Sequence, residues 1–485
     1  MSSPPAQTPS PGAPAPATSS PARRDATWDS PRHRRTVYLI LTVVAVAILF
    51  DGYDLVVYGA VLPDLLADPT QIGALTPSTA GTLASYALIG VLVGALSAGA
   101  VGDRVGRRRV MLVATVWFSV GMLVTALAQS MVVFGLLRFV TGIGVGMIVA
   151  TGGAIVAEFA PRERRNLFNA VTYSGIPAGG LMASALAIAL LSDIGWRGLF
   201  MIGAAPLVIL LPLAWVALPE SPQWLVTVGR RDEARAVCEK YGLPVQTFVP
   251  DPEPVTEAAT GPGSGPGSGP GTGPGVGPGV GPEATRPRGK VGFVALFSTR
   301  YLAGTVLIGL MSFIGLLLTY GLNTWLPQIM QDNGAEAEGS LLFLLVLNGG
   351  AIVGVLVASA LADRLGAKVI VAATFLLAAV CLVLLPVSLS LGVLYLLVAL
   401  AGLGTIGTQV LVYGFTANYF GTEARAAGVA WCAGFGRLGG ILGPVIGGVL
   451  IGMNADPSTS FYIFAAFALA GCVFMALVPR SPVRS

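Results

Sequence analysis

The sequence predicts an all-α membrane protein: twelve transmembrane helices in two pseudo-symmetric six-helix bundles, with both termini cytoplasmic. Three observations lead there. Of 485 residues, 54% are hydrophobic and only 11% charged, with a mean hydropathy of +0.77. A soluble domain carries about 25% charge, so this composition belongs to a chain that crosses a bilayer repeatedly. Apolar runs of spanning length recur twelve times. Two short motifs also recur in the second half at nearly one offset.

Residues 1–35 are rich in Pro, Ala, Ser and Thr and end in Arg32, Arg34 and Arg35. They contain no compact signal peptide and are expected to form a disordered cytoplasmic tail. The N-terminal bundle occupies 36–217, with spans expected at 36–62, 80–101, 110–129, 132–157, 167–191 and 197–217. A cytoplasmic loop follows over 218–300. It opens Leu218-Pro219-Glu220-Ser221-Pro222-Gln223-Trp224-Leu225, carries a short helical pattern from Arg231 to Tyr241, and continues into Gly-Pro repeats from Gly261 to Pro282. Such repeats make no core and read as a flexible linker. The C-terminal bundle occupies 301–478, with spans expected at 301–327, 340–361, 368–387, 390–417, 426–452 and 459–478, leaving a cytoplasmic tail at 479–485.

The connections alternate in charge. The tails and the even-numbered loops hold 25 of the 28 Lys and Arg residues, whereas the odd-numbered loops hold acids and, at an edge, Arg197. The positive-inside rule then puts both termini in the cytoplasm and makes the chain a multi-pass protein of the plasma (inner) membrane. Gly102-Asp103-Arg104-Val105-Gly106 recurs as Ala362-Asp363-Arg364-Leu365-Gly366. Phe159, Arg164, Gly175 and Gly179 recur as Phe420, Arg425, Gly436 and Gly440. Parallel six-helix repeats of this kind build transporters that rock two bundles about a central site.

Charged residues inside spans mark candidate chemistry, because hydrocarbon solvates them poorly. Asp51 and Asp54 share a helix face in span 1, roughly 22 to 27 Å along it from Thr36, and are the expected proton-coupling pair. The only histidine is His33, in the tail, so an intramembrane histidine relay is excluded and carboxylates must carry any proton. Arg437 lies near the middle of span 11, where its repeat partner is Ile176. A guanidinium matches a substrate carboxylate through two hydrogen bonds, which makes Arg437 the first candidate for substrate anchoring. Arg138 in span 4 is expected to pair with a helix-1 aspartate or to contact substrate. Glu158, near the inner end of that span, is expected to join a gating network with Arg162, Arg164 or the loop after span 2. Tyr53, Tyr320, Asn323 and Gln409 offer ring surfaces and polar partners. Four scattered cysteines make neither a disulfide framework nor a metal motif. No metal, cofactor or nucleic-acid partner is expected, and no nucleophile–base set or nucleotide loop suggests an enzyme.

Gly99-Ala100-Val101-Gly102-Asp103-Arg104-Val105-Gly106-Arg107-Arg108-Arg109 resembles the signature loop of the major facilitator superfamily. The resemblance implies that Asp103, Arg104, Gly106 and Arg107 belong to the cytoplasmic gate. The second copy departs from it, with Ala367 and Lys368 replacing an arginine pair. Asp51-Gly52-Tyr53-Asp54 in span 1 resembles the helix-1 signature of the aromatic acid:proton symporters (benzoate and 4-hydroxybenzoate transporters). Further agreement with that family comes from Arg138 with Thr141-Gly142-Ile143-Gly144 and Glu158-Phe159-Ala160-Pro161 in span 4, Gly321-Leu322-Asn323-Thr324-Trp325-Leu326-Pro327 in span 7, and Gly434-Phe435-Gly436-Arg437-Leu438-Gly439 in span 11. The resemblance implies a monomeric symporter in the lipid bilayer that imports a small aromatic carboxylate with a proton. The competing readings are a transporter or exporter of another organic anion or drug, and a membrane sensor of aromatic acids.

Overall fold

The computed structural model describes residues 31–161, 165–249, 292–421, 423–453 and 456–479. The expected tail up to residue 30, the Gly-Pro repeats, Arg162, Arg164 and the last six residues lie outside that range. All regular structure among the described residues is helical. The first half comprises α1 (Pro31–Ala67), α2 (Pro77–Val105), α3 (Arg107–Ala126), α4 (Met131–Phe159), α5 (Arg165–Tyr173), α6 (Gly175–Ile202) and α7 (Leu210–Ala217). The loop contributes α8 (Pro222–Thr227), α9 (Arg231–Tyr241), α10 (Val245–Phe248) and α11 (Phe293–Leu296). The second half comprises α12 (Leu302–Asp332), α13 (Ala337–Leu365), α14 (Ala367–Leu384), α15 (Leu391–Gly402), α16 (Thr408–Tyr419), α17 (Arg425–Gly452) and α18 (Pro457–Leu477).

Local chemistry sets these limits. Thr76 and Thr79 form a capping box at the start of α2, with Pro77 in its first turn. The Ser130 hydroxyl accepts the Val133 amide to start α4, and Pro161 follows that helix's end. Gly106 and Gly366 separate the second helix of each half from the third at φ 99° and 94°. Those left-handed values favour glycine, and their agreement shows the sequence repeat as a shared backbone bend.

Eleven helices are long and apolar enough to cross a membrane among the described residues. The expected sixth span, 197–217, is not one continuous helix. Gly195 kinks the chain at φ 63°, so Trp196–Ile202 runs on from α6. A 3-10 turn at Ala205–Leu207 and the short α7 follow. Pro206 and Pro212 each lack an amide donor, which interrupts an α-helical ladder. The tenth span is also segmented, by a π turn at Leu403–Gly407 between α15 and α16. Helix α1 starts at Pro31, so residues 31–35 of the expected tail are helical. The loop helix α9 docks on that extension: Arg32 donates to the Lys240 carbonyl and Thr36 to that of Tyr241, each at 2.8 Å.

Within each half, helices approach to backbone contact where glycine faces glycine or carbonyl. A side chain at Gly52 of α1 would collide with the Ile176 backbone of α6, and one at Gly179 of α6 with the Leu49 carbonyl of α1. Gly439 and Gly443 of α17 sit against the Phe313 and Leu317 carbonyls of α12 in the same way, as small residues allow in membrane helices. Between the halves, contact gathers at the end away from the arginine-rich loops. There Gly81 of α2 meets the Pro444 carbonyl of α17, Gly448 meets Pro77, Gly59 of α1 meets Asn323 of α12, and Ser85 donates to the Ile441 carbonyl at 2.5 Å. At the basic end, Gly99 and Gly102 of α2, Gly414 of α16 and Gly434 of α17 face open space.

Leucine at Gly179 is expected to destabilise the fold by about 1–3 kcal/mol through overpacking. Thermal unfolding of detergent-purified protein would show a lowered midpoint. Leucine at Gly99, where a side chain meets nothing, would not lower it.

Candidate functional site

The two intramembrane arginines are treated differently. Arg138 of α4 is buried and paired with Asp54 of α1: its Nη1 donates to Asp54 Oδ1, and its Nη2 reaches the Asp54 backbone carbonyl at 3.4 Å. The rings of Tyr58 and Phe200 flank the guanidinium with centroids at 5.6 and 5.7 Å, an added electrostatic attraction. This pair neutralises itself inside the first half and fastens α1 to α4.

Arg437 of α17 makes no hydrogen bond or ion pair with another described residue and is only partly buried. It shares a helix face with Ile441, which touches α2, so its guanidinium faces the space between the halves. Its electrostatic neighbours are Asp51 of α1, Tyr173 of α5, Tyr320 of α12 and Tyr413 of α16. Asp51 is likewise partly buried and without a hydrogen-bonding partner among the described residues, one helical turn from the occupied Asp54. A basic and an acidic side chain from opposite halves thus share electrostatic neighbours, Tyr173 and Tyr320 among them.

Other expected site residues lie elsewhere. Tyr53 is fully buried and donates to the Leu199 carbonyl at 2.8 Å, which locks it inside the first half, away from Arg437. Asn323 is buried between helices, its amide donating to the Thr319 carbonyl and its oxygen accepting from Asn348 at 2.9 Å. Both polar atoms are engaged, so Asn323 bridges α12 and α13. Gln409 of α16 donates to the Ser312 hydroxyl at 2.9 Å, and its buried amide oxygen has no partner. It precedes Tyr413 by one turn, just after the π turn, a distortion that often accompanies functional sites. Tyr173 escaped the sequence reading. It ends α5 at a break in span 5, where Pro177 lacks the amide that would bond the Tyr173 carbonyl.

A second polar cluster lies at the basic end. Arg107 donates to Glu158 at 2.7 Å. Glu158 also accepts from the Ser221 hydroxyl at 2.6 Å and the Gln223 amide at 3.2 Å. Glu220 accepts the Arg108 amide at 3.0 Å, and Trp224 donates to the Asp103 carbonyl at 2.8 Å. The start of α3, the end of α4 and the segment after α7 are thereby tied together. Gly106 leaves room for Glu220, while the Asp103 and Arg104 side chains are exposed. The sequence reading named Arg107 and Glu158 but missed Glu220, Ser221 and Trp224, because a contact between distant loops leaves no local pattern. In the second half, Glu423 lies outside the spans and accepts from the Tyr301 hydroxyl at 2.8 Å. Its own backbone amide, and next that hydroxyl, hold its carboxyl below the usual range.

A family model described as Major Facilitator Superfamily matches residues 44–347 and 308–485. The chain belongs to the Major Facilitator Superfamily. As a member it is a transporter, not an enzyme. It is 31% identical over 454 residues to the benzoate transport protein of Acinetobacter baylyi, covering 93% of this chain and 90% of that protein. It is 30% identical over 439 residues to the gentisate transporter of Corynebacterium glutamicum, covering 89% and 85%. The fold is similar to the inward-open structure of the xylose transporter XylE from E. coli, with a TM-score of 0.69 at 18% identity, covering 93% of this chain and 98% of that one. This likeness extends over both halves of the transporter.

Removing one member of the buried pair leaves the other charge uncompensated, at a cost of about 3–5 kcal/mol. Arg138→Met is expected to lower the thermal midpoint of the transporter sharply. Adding Asp54→Asn in the same chain should recover most of the loss, and a double variant no better than the single would break the link between the two residues.

Proposed function

We propose that this transporter is a proton-coupled symporter that imports a small aromatic carboxylate of the benzoate or hydroxybenzoate class by alternating access. The observation that carries the reading is Arg437: a partly buried guanidinium at mid-span with no anion of its own, facing tyrosines and Asp51 across the interface between the halves. A free guanidinium at that depth is costly unless a ligand uses it. The relatives named for benzoate and gentisate support an aromatic acid as that ligand.

The electrostatics give a route to coupling. Asp51 and the incoming carboxylate compete for one cation. With Asp51 ionised, a bound carboxylate adds an unbalanced negative charge to the cavity. A proton on Asp51 removes it, so substrate and proton enter together. The Arg138–Asp54 pair then serves as the fixed element that holds α1 in place, with Asp54 as the second candidate for the proton. The basic end is taken as cytoplasmic, in line with the positive-inside rule. Twelve spans, with residues 196–217 forming the sixth in pieces, bring both termini to that side of the plasma membrane. Close contact at the acidic end and open space at the basic end then correspond to an inward-open state. The gate at the basic end uses Arg107 and Glu158 within the half, with Asp103, Arg104 and Gly106 in the loop between α2 and α3. The transporter is taken to act as a monomer.

Purified transporter in proteoliposomes, offered labelled aromatic acids with and without an inward proton gradient, tests the reading. Gradient-stimulated accumulation of a benzoate or hydroxybenzoate is expected; saturable binding without flux would favour a sensor. Arg437→Gln should weaken binding by about tenfold to a hundredfold, the range of a lost charge-assisted hydrogen bond. Unchanged affinity would remove Arg437 as the anchor.

Asp51→Asn is expected to separate exchange from accumulation. Counterflow of labelled against unlabelled substrate should persist at a rate nearly independent of pH, while uphill uptake driven by the gradient disappears. Retention of uphill uptake in Asp51→Asn, together with its loss in Asp54→Asn, would move the coupling proton to Asp54.

A further inference from the structure

The broken sixth span leaves its mark on the outside of the first half. In the second half, α18 is one continuous helix lying along α14, with Gly471 against the Phe375 ring and Lys368 donating to the Val478 carbonyl at 2.5 Å. The equivalent stretch beside α3 is broken into the end of α6, the 3-10 turn and the eight-residue α7. Beside α3 a groove of about 590 Å³ opens sideways, lined by Val113, Val116, Trp117 and Val120 of α3 with Leu211 and Trp215 of α7. Its floor is braced by the Trp117 indole, which donates to the Val140 carbonyl of α4 at 2.7 Å. The groove runs from Leu112 to Val124, about 18 Å at 1.5 Å per residue. One leaflet of hydrocarbon is about 15 Å deep.

The basic end of this groove carries a matching charge. Arg109 lies on the same face of α3 as Leu112, Val113 and Val116, at helical spacings of three, four and seven. It is exposed and makes no hydrogen bond or ion pair with another described residue. Its neighbour is already committed: the Arg108 guanidinium donates to the Trp215 carbonyl at 2.6 Å and covers the Trp215 ring at 5.3 Å, and its amide is taken by Glu220. Arg108 thus closes the groove's end and leaves Arg109 at the mouth. An apolar channel one leaflet long with a guanidinium at the headgroup level has the chemistry of a phospholipid with an anionic headgroup.

We propose that the groove between α3, α4 and α7 is a specific site for one anionic phospholipid, its phosphate on Arg109 and one acyl chain along Trp117 and Trp215. The lipid would complete the packing that α18 supplies in the other half. It would also adjoin Arg108, whose amide Glu220 holds in the basic-end cluster.

Brominated acyl chains quench nearby indoles and test the site in the full-length protein. Phosphatidylglycerol with brominated chains, titrated into detergent-purified transporter, is expected to quench tryptophan emission with a saturable component. That component should disappear in a Trp117→Phe/Trp215→Phe variant. It should need about fivefold more lipid in Arg109→Gln, the effect of losing one surface cation, and should be retained in Arg109→Lys. Monodispersity on size exclusion guards against misfolded variants. Equal quenching by brominated phosphatidylcholine and phosphatidylglycerol, unaltered by Arg109→Gln, would overturn the proposal and make the groove ordinary lipid-facing surface. Competition by inorganic phosphate as effective as that by unbrominated phosphatidylglycerol would overturn it in favour of a free anion site.

Discussion

Hydrocarbon gives a charged side chain no solvation, and that constraint organises the middle of this protein. Arg138 meets it within its own half, by an ion pair with Asp54 and two flanking rings. Such a pair stabilises little against an apolar alternative, but it fixes where α4 and α1 sit relative to each other. Arg437 leaves the same requirement open, at a position where the carboxylate it feels, Asp51, belongs to the opposite half. A polar group that the fold does not satisfy is a group available to a ligand.

Rigid halves make that arrangement useful. Gly52 and Gly179 seat α1 on α6 at backbone contact, and Gly439 and Gly443 seat α17 on α12. Between the halves, Gly81 approaches the Pro444 carbonyl, Gly59 the Asn323 carbonyl and Gly180 the Asn348 side chain, and Ser85 gives one hydroxyl bond. At the basic end, Glu158 and Glu220 tie helices of one half together up to its loop.

Much of this was legible in the chain. Hydropathy located eleven spans, because a run of twenty apolar residues has few other uses, and the two copies of the repeat share a backbone bend at Gly106 and Gly366. The sixth span was misjudged because hydropathy ignores Gly195, Pro206 and Pro212, which break a helix without making it less apolar. Asp54 and Arg138 were candidates for one another on charge alone. The directions of Tyr53 and Asn323 were not legible: both sit in motif positions, yet each finds a partner inside the protein through helix rotation that no local pattern encodes. Glu220, Ser221 and Trp224 act across sequence separations of 63 to 121 residues, beyond the reach of any window. Tyr173 was hidden for a related reason, since a tyrosine in an apolar run reads as packing until the run is seen to break.

The two halves share a backbone plan but not a charge plan, and the difference carries the proposed mechanism. Asp51 has no acidic counterpart on α12, and the repeat partner of Arg437 is Ile176. Were both charges on one helix, they would pair permanently, as Asp54 and Arg138 do between adjacent helices, and a substrate carboxylate would find no cation. Placed on opposite halves, they act on each other across the interface, so their mutual attraction depends on how the halves are disposed and on what lies between them. A carboxylate on Arg437 replaces the attraction of Asp51, and a proton on Asp51 removes the repulsion that replacement creates. In the proposed mechanism, substrate occupancy and the disposition of the halves are linked by the same two side chains.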